Sequence, residues 1–278
     1  FLTVHYWWHG LIARDWFRHW KHYYTNSSTT NNRLGCYIRD TSGTREYRKD
    51  VLELSKEQNI YCPMLDGKTY SSDASAMLEW DDTNLFDIHI VAETLFDTPK
   101  THLTEKVLKP VAMEQPFILF AGPNSLQYMR DYGFQTFDCC WDESYDTIKD
   151  SRERYQAVED LVKYLTSLPN DQYTRILNQA KLIAKNNREY FYSQKFENVL
   201  LEELHTNMQV ALLQQEENAK YDPGGTYFQT VKRNIELHKQ HPEIHTNIVD
   251  GWKKRMDIIE LKFPDHAKRI RAQYPDLF

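Results

Sequence analysis

The sequence predicts an α/β fold, in which a mainly parallel sheet is followed by a helical C-terminal region. Short apolar segments alternate with helical patterns in the first half of the chain, and this alternation is typical of βαβ units. The predicted strands are residues 34–40 (LGCYIRD), 86–94 (FDIHIVAET), 116–122 (PFILFAG) and 134–137 (FQTF). From Ser151 onward apolar residues recur at helical spacing, so the second half is expected to be helical.

Three regions are expected along the chain. Residues 1–30 form an aromatic helical segment, in which Ile12, Trp16 and Trp20 share one helix face. Residues 31–187 form the α/β domain, and residues 188–278 form a helical extension. Within these regions, helices are predicted at 104–113, 123–132 with Gly133 as C-cap, 171–186, 188–217 and 246–273.

Composition narrows the class of protein. The chain has 278 residues, of which 41% are hydrophobic and 14% aromatic, as in a folded globular protein. Its formal charge of −6 gives no general attraction to nucleic acids or anionic membranes. No apolar run approaches the roughly 18 to 20 residues of a membrane span. The four cysteines lack zinc-binding spacing, so we interpret them as reduced thiols of a cytoplasmic protein: Cys36, Cys62, Cys139 and Cys140.

Five charged residues fall where an open parallel sheet places its ligand. Arg39 ends the first predicted strand and Arg45 lies in the loop after it. Glu93 ends the second strand, and Glu105 with Lys106 opens the next helix. Cations beside a helix N-terminus suit a diphosphate, and carboxylates suit ribose hydroxyls. The competing interpretation is ordinary helix capping, because an N-cap threonine followed by a first-turn glutamate is favourable without any ligand.

The segment from His89 to Asp146 resembles the nucleotide-binding half of GT-B glycosyltransferases. It is most similar to phage and bacterial sugar transferases distantly akin to α-1,3-fucosyltransferases and exostosin-like enzymes. The fucosyltransferase pattern has a strand ending in Phe-Glu-Asn and a helix headed by Thr-Glu-Lys, and the chain has residues 92–94 (AET) and 104–106 (TEK) at these places. The resemblance covers roughly residues 33–165, and Thr94 departs from the asparagine of the pattern.

The resemblance implies that residues 31–187 are a Rossmann-like donor-binding domain and that residues 1–30 are a remnant of an acceptor domain or a link to one. It also implies a role for each of these charged residues. Glu105 would bind the ribose hydroxyls of a nucleotide diphosphate sugar, Lys106 would lie near its phosphates, and Glu93 would line the same pocket. Arg39 or Arg45 would reach the diphosphate. Such enzymes stabilise the negative charge of the leaving diphosphate with cationic side chains and helix N-termini, so no metal ion or further cofactor is expected.

The catalytic base is expected in the aromatic N-terminal segment. Inverting GT-B enzymes need a carboxylate or a histidine to take a proton from the acceptor hydroxyl. His9 and Asp15 stand beside tryptophans, whose faces suit sugar rings. The alternative is an aromatic helix that packs on the sheet and has no catalytic role.

Two functions remain open from the sequence. The first is a metal-independent hexosyl or pentosyl transferase that acts on a glycan or another hydroxyl acceptor, in a bacterium or a virus-infected host cell. The second is a non-catalytic GT-B-like binding or assembly protein, for instance a virus-associated one. Nucleic acid is expected only as an acceptor of sugar, since the chain lacks a basic stripe.

Overall fold

The computed structural model describes residues 4–21, 32–78, 85–221, 260–261, 264–273 and 275. The chain divides into two compact units. One unit is Trp7–Glu202, and the other combines Phe1–Tyr6 with Glu203–Phe278. The first helix therefore belongs to the same unit as the sheet, whereas the sequence predicts boundaries at residues 30 and 187.

The centre of the larger unit is a three-stranded parallel sheet with the strand order β1-β2-β3. The strands are β1 (Asn32–Cys36), β2 (Phe86–Ala92) and β3 (Phe117–Phe120). Every residue of β3 and nearly every residue of β2 is buried, as expected for a parallel sheet covered on both faces. The predicted α/β fold with a parallel sheet is confirmed.

Helices connect the strands and continue beyond them. The eight α-helices of the described residues are α1 (Trp8–Trp20), α2 (Arg48–Glu57), α3 (Glu105–Ala112), α4 (Ser125–Asp131), α5 (Ser151–Ser167), α6 (Asn170–Phe191), α7 (Gln194–Tyr221) and α8 (Pro264–Gln273). Helix α3 begins where predicted, because the Thr104 side chain accepts a hydrogen bond from the Lys106 backbone N–H. Gly133 ends α4 with a φ of 91°, as its predicted C-cap role requires.

The fourth predicted strand, residues 134–137, is wrong. Helix α6 occupies the backbone groups that a neighbouring strand would have used: Asn187 accepts from the Gln135 N–H at 2.8 Å and donates to the Gln135 carbonyl at 2.8 Å. The first strand is also shorter than predicted, because residues 37–40 leave the sheet after Cys36.

The predicted boundary between two helices near residue 187 lies four residues further along the chain, after Phe191. Helix α6 continues to Phe191, since Asn187 is buried in this contact and does not end the helix. Of the predicted final helix 246–273, Pro264–Gln273 is helical and residues 246–259 lie outside the described residues.

One buried contact fixes the start of α1 against the start of α3. The Trp7 indole is 3% exposed and donates from Nε1 to the Leu103 carbonyl at 3.0 Å. Its ring packs against Tyr128, Tyr132 and Phe196. Trp7 and Phe17 of the predicted aromatic segment therefore belong to the core, whereas Trp8 and Trp16 are exposed. The first turn of α1 lies beside the N-terminus of α3.

No helix among the described residues is both long enough and apolar enough to span a membrane.

Candidate functional site

A cavity of about 140 Å³ lies at the carboxyl ends of β1 and β2 and beside the first turn of α3. The residues that follow β1, the end of β2 and the segment from Tyr70 to Leu78 supply its walls. Its charged lining is Arg39, Asp40, Arg45, Arg48, Glu105, Lys106 and Lys109. Ligands of open α/β sheets bind at this edge, and here five basic side chains face two acidic ones.

Two of the predicted arginines reach the cavity from the segment after β1. Arg45 donates from Nη1 to Asp40 Oδ2 at 2.8 Å, and Arg39 donates to the Ser71 carbonyl at 3.3 Å. Asp40 also accepts from the hydroxyl and the backbone N–H of Ser42, and these bonds and Arg45 lower its pKa. Arg39 is exposed and the Arg45–Asp40 pair is one-third exposed, so both guanidinium groups remain accessible to an anion.

Arg48 is the most buried cation of the site, with 3% exposure. Its Nη2 donates to the carbonyls of Ala92 at 2.7 Å and Glu93 at 3.0 Å, and its Nη1 donates to the Asp40 carbonyl at 3.0 Å. Its Nε has no hydrogen-bond partner among the described residues. A buried donor left unpaired is costly, so a ligand acceptor at this point would stabilise the site.

The first turn of α3 brings a carboxylate and two ammonium groups to the cavity. Lys106 Nζ donates to Glu105 Oε1 and to Thr104 Oγ1, both at 3.0 Å, and Lys109 donates to the Ala74 carbonyl. Burial raises the pKa of Glu105, but the charge and hydrogen bond of Lys106 outweigh it, so the pKa lies below its usual value. Glu105 is therefore a carboxylate at neutral pH, and its oxygens accept hydrogen bonds.

His9 lies next to Glu105, with 4.0 Å between its Nδ1 and Glu105 Oε2. Its ring lies at a tilt against Trp8 at 3.8 Å and edge-on to His102 at 5.4 Å, measured between ring centroids. Burial lowers the pKa of His9, with Glu105 opposing this shift. The imidazole is therefore neutral at pH 7 and able to accept a proton.

The second predicted acid–base residue, Asp15, lies elsewhere. It is 62% exposed on α1 and pairs with Arg18 at 2.5 Å, one helical turn away. The helical geometry gives the reason, because positions 9 and 15 are six residues apart and point to different sides of α1. Asp15 does not line the cavity, and its catalytic role stays a prediction.

Glu93 lies behind the cavity and does not line it. Its side chain is completely buried and accepts from the Thr104 N–H at 3.0 Å and the Thr104 hydroxyl at 2.6 Å. Tyr47 and Arg48 donate to its backbone carbonyl. Glu93 is absent from the cavity lining, and its role at the donor stays a prediction, while its carboxylate accepts hydrogen bonds from Thr104 at the start of α3.

Sequence reasoning missed four of the charged or imidazole side chains of the cavity, namely Asp40, Arg48, His89 and Lys109. Lys109 lies three positions after Lys106 on the predicted helix 104–113, and this spacing was a usable signal. His89 gave no comparable signal, because it is one residue of an otherwise apolar strand. Burial, with Lys109 nearby, lowers the pKa of His89 to about 3, so its ring is neutral. Its Nδ1 has no hydrogen-bond partner among the described residues.

In the part of the chain that the structure describes, no group of three or more His, Cys, Asp and Glu side chains is arranged to hold a metal ion. No family model, curated protein or solved structure matches the chain.

Proposed function

We propose that the chain is a GT-B-type glycosyltransferase, or the donor-binding half of one, that moves a sugar from a nucleotide diphosphate sugar to a hydroxyl group. The observation that carries this proposal is the cation-rich cavity at the carboxyl ends of parallel strands. The cavity is lined by Arg39, Arg45, Glu105 and Lys106 together, although Arg39 and Glu105 are 66 positions apart in the sequence. The resemblance of these segments to GT-B donor domains supports the same interpretation.

The charge of the cavity suits a diphosphate. Arg39, Arg45 and Lys106 keep accessible donors, and the N-terminus of α3 adds the positive end of a helix dipole. The leaving diphosphate gains negative charge as its bond to the sugar breaks, so fixed cations stabilise the transition state more than the ground state. These side chains need no metal ion or further cofactor for this role.

Glu105 is the proposed ribose ligand. Its carboxylate is ionised and only 10% exposed, so it offers acceptor oxygens in a site that excludes most water. Lys106 satisfies one of these oxygens and the other faces His9 at 4.0 Å.

His9 is the proposed general base. The acceptor oxygen attacks the anomeric carbon, the bond from that carbon to the diphosphate breaks, and the acceptor proton moves to the His9 imidazole. A neutral histidine is needed for this step, and burial keeps His9 neutral. Glu105 then stabilises the imidazolium that forms. The acceptor is a glycan or another hydroxyl compound, and the four free thiols suit a cytoplasmic location.

Calorimetric titration with GDP, UDP, ADP, TDP and CMP tests the donor site. We expect one nucleotide to bind, with a loss of about tenfold or more, roughly 1.4 kcal/mol, in Glu105→Ala and in Lys106→Ala. Glu159→Ala and Lys163→Ala are the matched controls, because they remove a Glu–Lys pair that does not line the cavity. Equal losses in the controls, or no binding to the wild type, would contradict the proposal.

The second candidate is a protein that binds the same nucleotide without transferring sugar. This candidate is favoured because neither predicted acid–base residue lines the cavity. His9 lies 4.0 Å from Glu105, and Asp15 pairs with Arg18 on α1. A single-turnover incubation with the bound nucleotide sugar separates the two candidates. Release of nucleotide diphosphate that falls about 100-fold in His9→Gln supports the transferase, since general bases contribute roughly this much. Binding without any release supports the second candidate.

A further inference from the structure

Cys139 and Cys140 form a pair of neighbouring thiols on the surface of the larger unit. Their Sγ atoms are 3.8 Å apart, Cys139 is exposed and Cys140 is partly exposed. Cys36 and Cys62 are both buried, so the thiols at 139 and 140 are the accessible ones of the chain's four. The proposed sugar transfer uses neither of them.

The turn that carries the two thiols is fixed by the residues on either side. The Phe137 carbonyl accepts from the N–H groups of Cys140 at 2.8 Å and Trp141 at 3.0 Å. The Phe137 and Trp141 rings stack at 5.0 Å, and Glu143 Oε1 accepts from the Phe137 N–H at 2.8 Å. Phe137 is completely buried and Trp141 is 5% exposed, so the backbone of this turn is anchored in the core.

The separation of the two sulfur atoms indicates what they can bind. A tetrahedral centre with metal–sulfur bonds of about 2.3 Å holds two sulfur ligands roughly 3.8 Å apart. A disulfide would need them about 2.0 Å apart, and consecutive residues reach that distance only by distorting the turn. The observed separation therefore matches a pair of ligands to one shared atom.

We propose that Cys139 and Cys140 form a bidentate thiol site for one thiophilic centre, either trivalent arsenic or a soft metal ion. With a phenylarsenic(III) oxide, the two S–H bonds and the arsenic–oxygen bonds break and two arsenic–sulfur bonds form. The oxygen leaves as water with both thiol protons, and arsenic remains trivalent. A soft metal ion would instead displace both protons into solution and complete its coordination with water or a small thiol.

Phenylarsine oxide added to the reduced full chain, in the presence of excess monothiol, tests the site by intact mass measurement. We expect one phenylarsenic group per chain. The second thiol acts intramolecularly, so Cys139→Ser and Cys140→Ser should each weaken retention about 100-fold or more. The unchanged Cys36 and Cys62 in both variants control for reaction at the buried thiols. Full retention in either variant, or no adduct on the wild type, would overturn the proposal.

A second titration, with Cd²⁺, distinguishes the two kinds of centre. Thiolate-to-cadmium absorption that appears in the wild type and is lost in both serine variants supports a site that also takes soft metal ions. Equal absorption in wild type and variants, as for any single thiol, would overturn the metal part of the proposal. Trp141 is next to Cys140 in the chain, so its fluorescence should change when arsenic or a soft metal ion binds to the wild type. It should remain constant in the double serine variant.

Discussion

Two clusters of the larger unit pair buried carboxylates with cations, yet only one resembles a binding site. The first is the cavity at the carboxyl ends of β1 and β2, described above. The second, the Arg130 cluster, consists of Arg130, Glu143 and Asp146. Arg130 is about one-third exposed, whereas its two partner carboxylates have exposures of 5% and 4%, so burial alone does not separate the clusters.

In the Arg130 cluster the backbone satisfies the carboxylates. Asp146 accepts from the N–H groups of Leu126 at 2.9 Å and Gln127 at 3.0 Å, which caps α4. Glu143 accepts from the Phe137 N–H, and Arg130 lies 3.3 Å from Glu143 and 3.8 Å from Asp146. Two acids and one cation share these contacts, and no excess positive charge is left for a ligand.

The cavity differs in its balance of charge and in its unused donors. Basic side chains outnumber acidic ones there, and buried nitrogens of Arg48 and His89 have no partner among the described residues. The comparison shows that saturation of hydrogen bonds, more than the mere presence of buried charge, distinguishes a structural network from a candidate site.

The largest expected effect is on the Arg130 cluster. Asp146→Ala leaves the N–H groups of Leu126 and Gln127, one buried and one partly buried, without their acceptor. It also removes a partner of Arg130, so we expect about 3 kcal/mol of lost stability. Urea denaturation measures this loss. Asp171→Ala, which breaks an exposed pair with Arg175, should change stability by less than about 0.5 kcal/mol. Similar losses in both variants would contradict a structural role for the cluster.

The next effect concerns ligand affinity. Arg45→Ala removes a cavity cation that pairs with the partly exposed Asp40, so stability should barely change. Affinity for the nucleotide diphosphate found by calorimetry should fall about tenfold, since a charge-assisted hydrogen bond to phosphate is lost. Arg175→Ala is the matched control and should leave affinity unchanged. An unaffected affinity in Arg45→Ala would remove this residue from the site.

A smaller effect is expected where a structural carboxylate supports the cavity. Glu93→Gln keeps the size of the side chain but weakens its two bonds to Thr104, and should cost about 1 kcal/mol of stability. Nucleotide affinity should also fall, because the first turn of α3 is less firmly placed, although Glu93 itself does not line the cavity. Denaturation with and without nucleotide measures both effects. Unchanged affinity would show that α3 is positioned independently of this carboxylate.

The smallest expected effect is a difference in how the free energy of unfolding depends on pH, between Glu143 of the Arg130 cluster and Glu105 of the cavity. Burial raises the pKa of Glu143, so its ionisation opposes folding, and this cost appears as the pH rises through its folded-state pKa. Lys106 lowers the pKa of Glu105 against the effect of burial. The ionised Glu105 therefore contributes stability above its unfolded-state pKa, and this stability is lost as the pH falls through its folded-state pKa. Relative to the wild type, Glu143→Gln should gain stability with rising pH and Glu105→Gln should lose it. Denaturation series from pH 3 to pH 7 check whether the two slopes have opposite signs.

The sequence by itself determined the α/β class and the position of the cavity edge. β-branched and aromatic runs predict the buried strands, and Thr104 with Glu105 predicts the start of α3, because both signals are local. Parallel strands end at one edge of their sheet, so Arg39, Arg45 and Lys106 were expected together from topology alone.

Tertiary structure decided which side chains face the cavity. Glu93 turns inward because Thr104 supplies its hydrogen bonds, and His9 reaches Glu105 because the Trp7 indole is anchored on the Leu103 carbonyl. The same packing leaves Asp15 outside. Residue spacing fixes the face of a single helix or strand, but the direction of a side chain at an element's end depends on partners distant in sequence. For this reason the sequence predicts the edge of the sheet at which the candidate site lies, whereas the packing of the core determines which side chains line it.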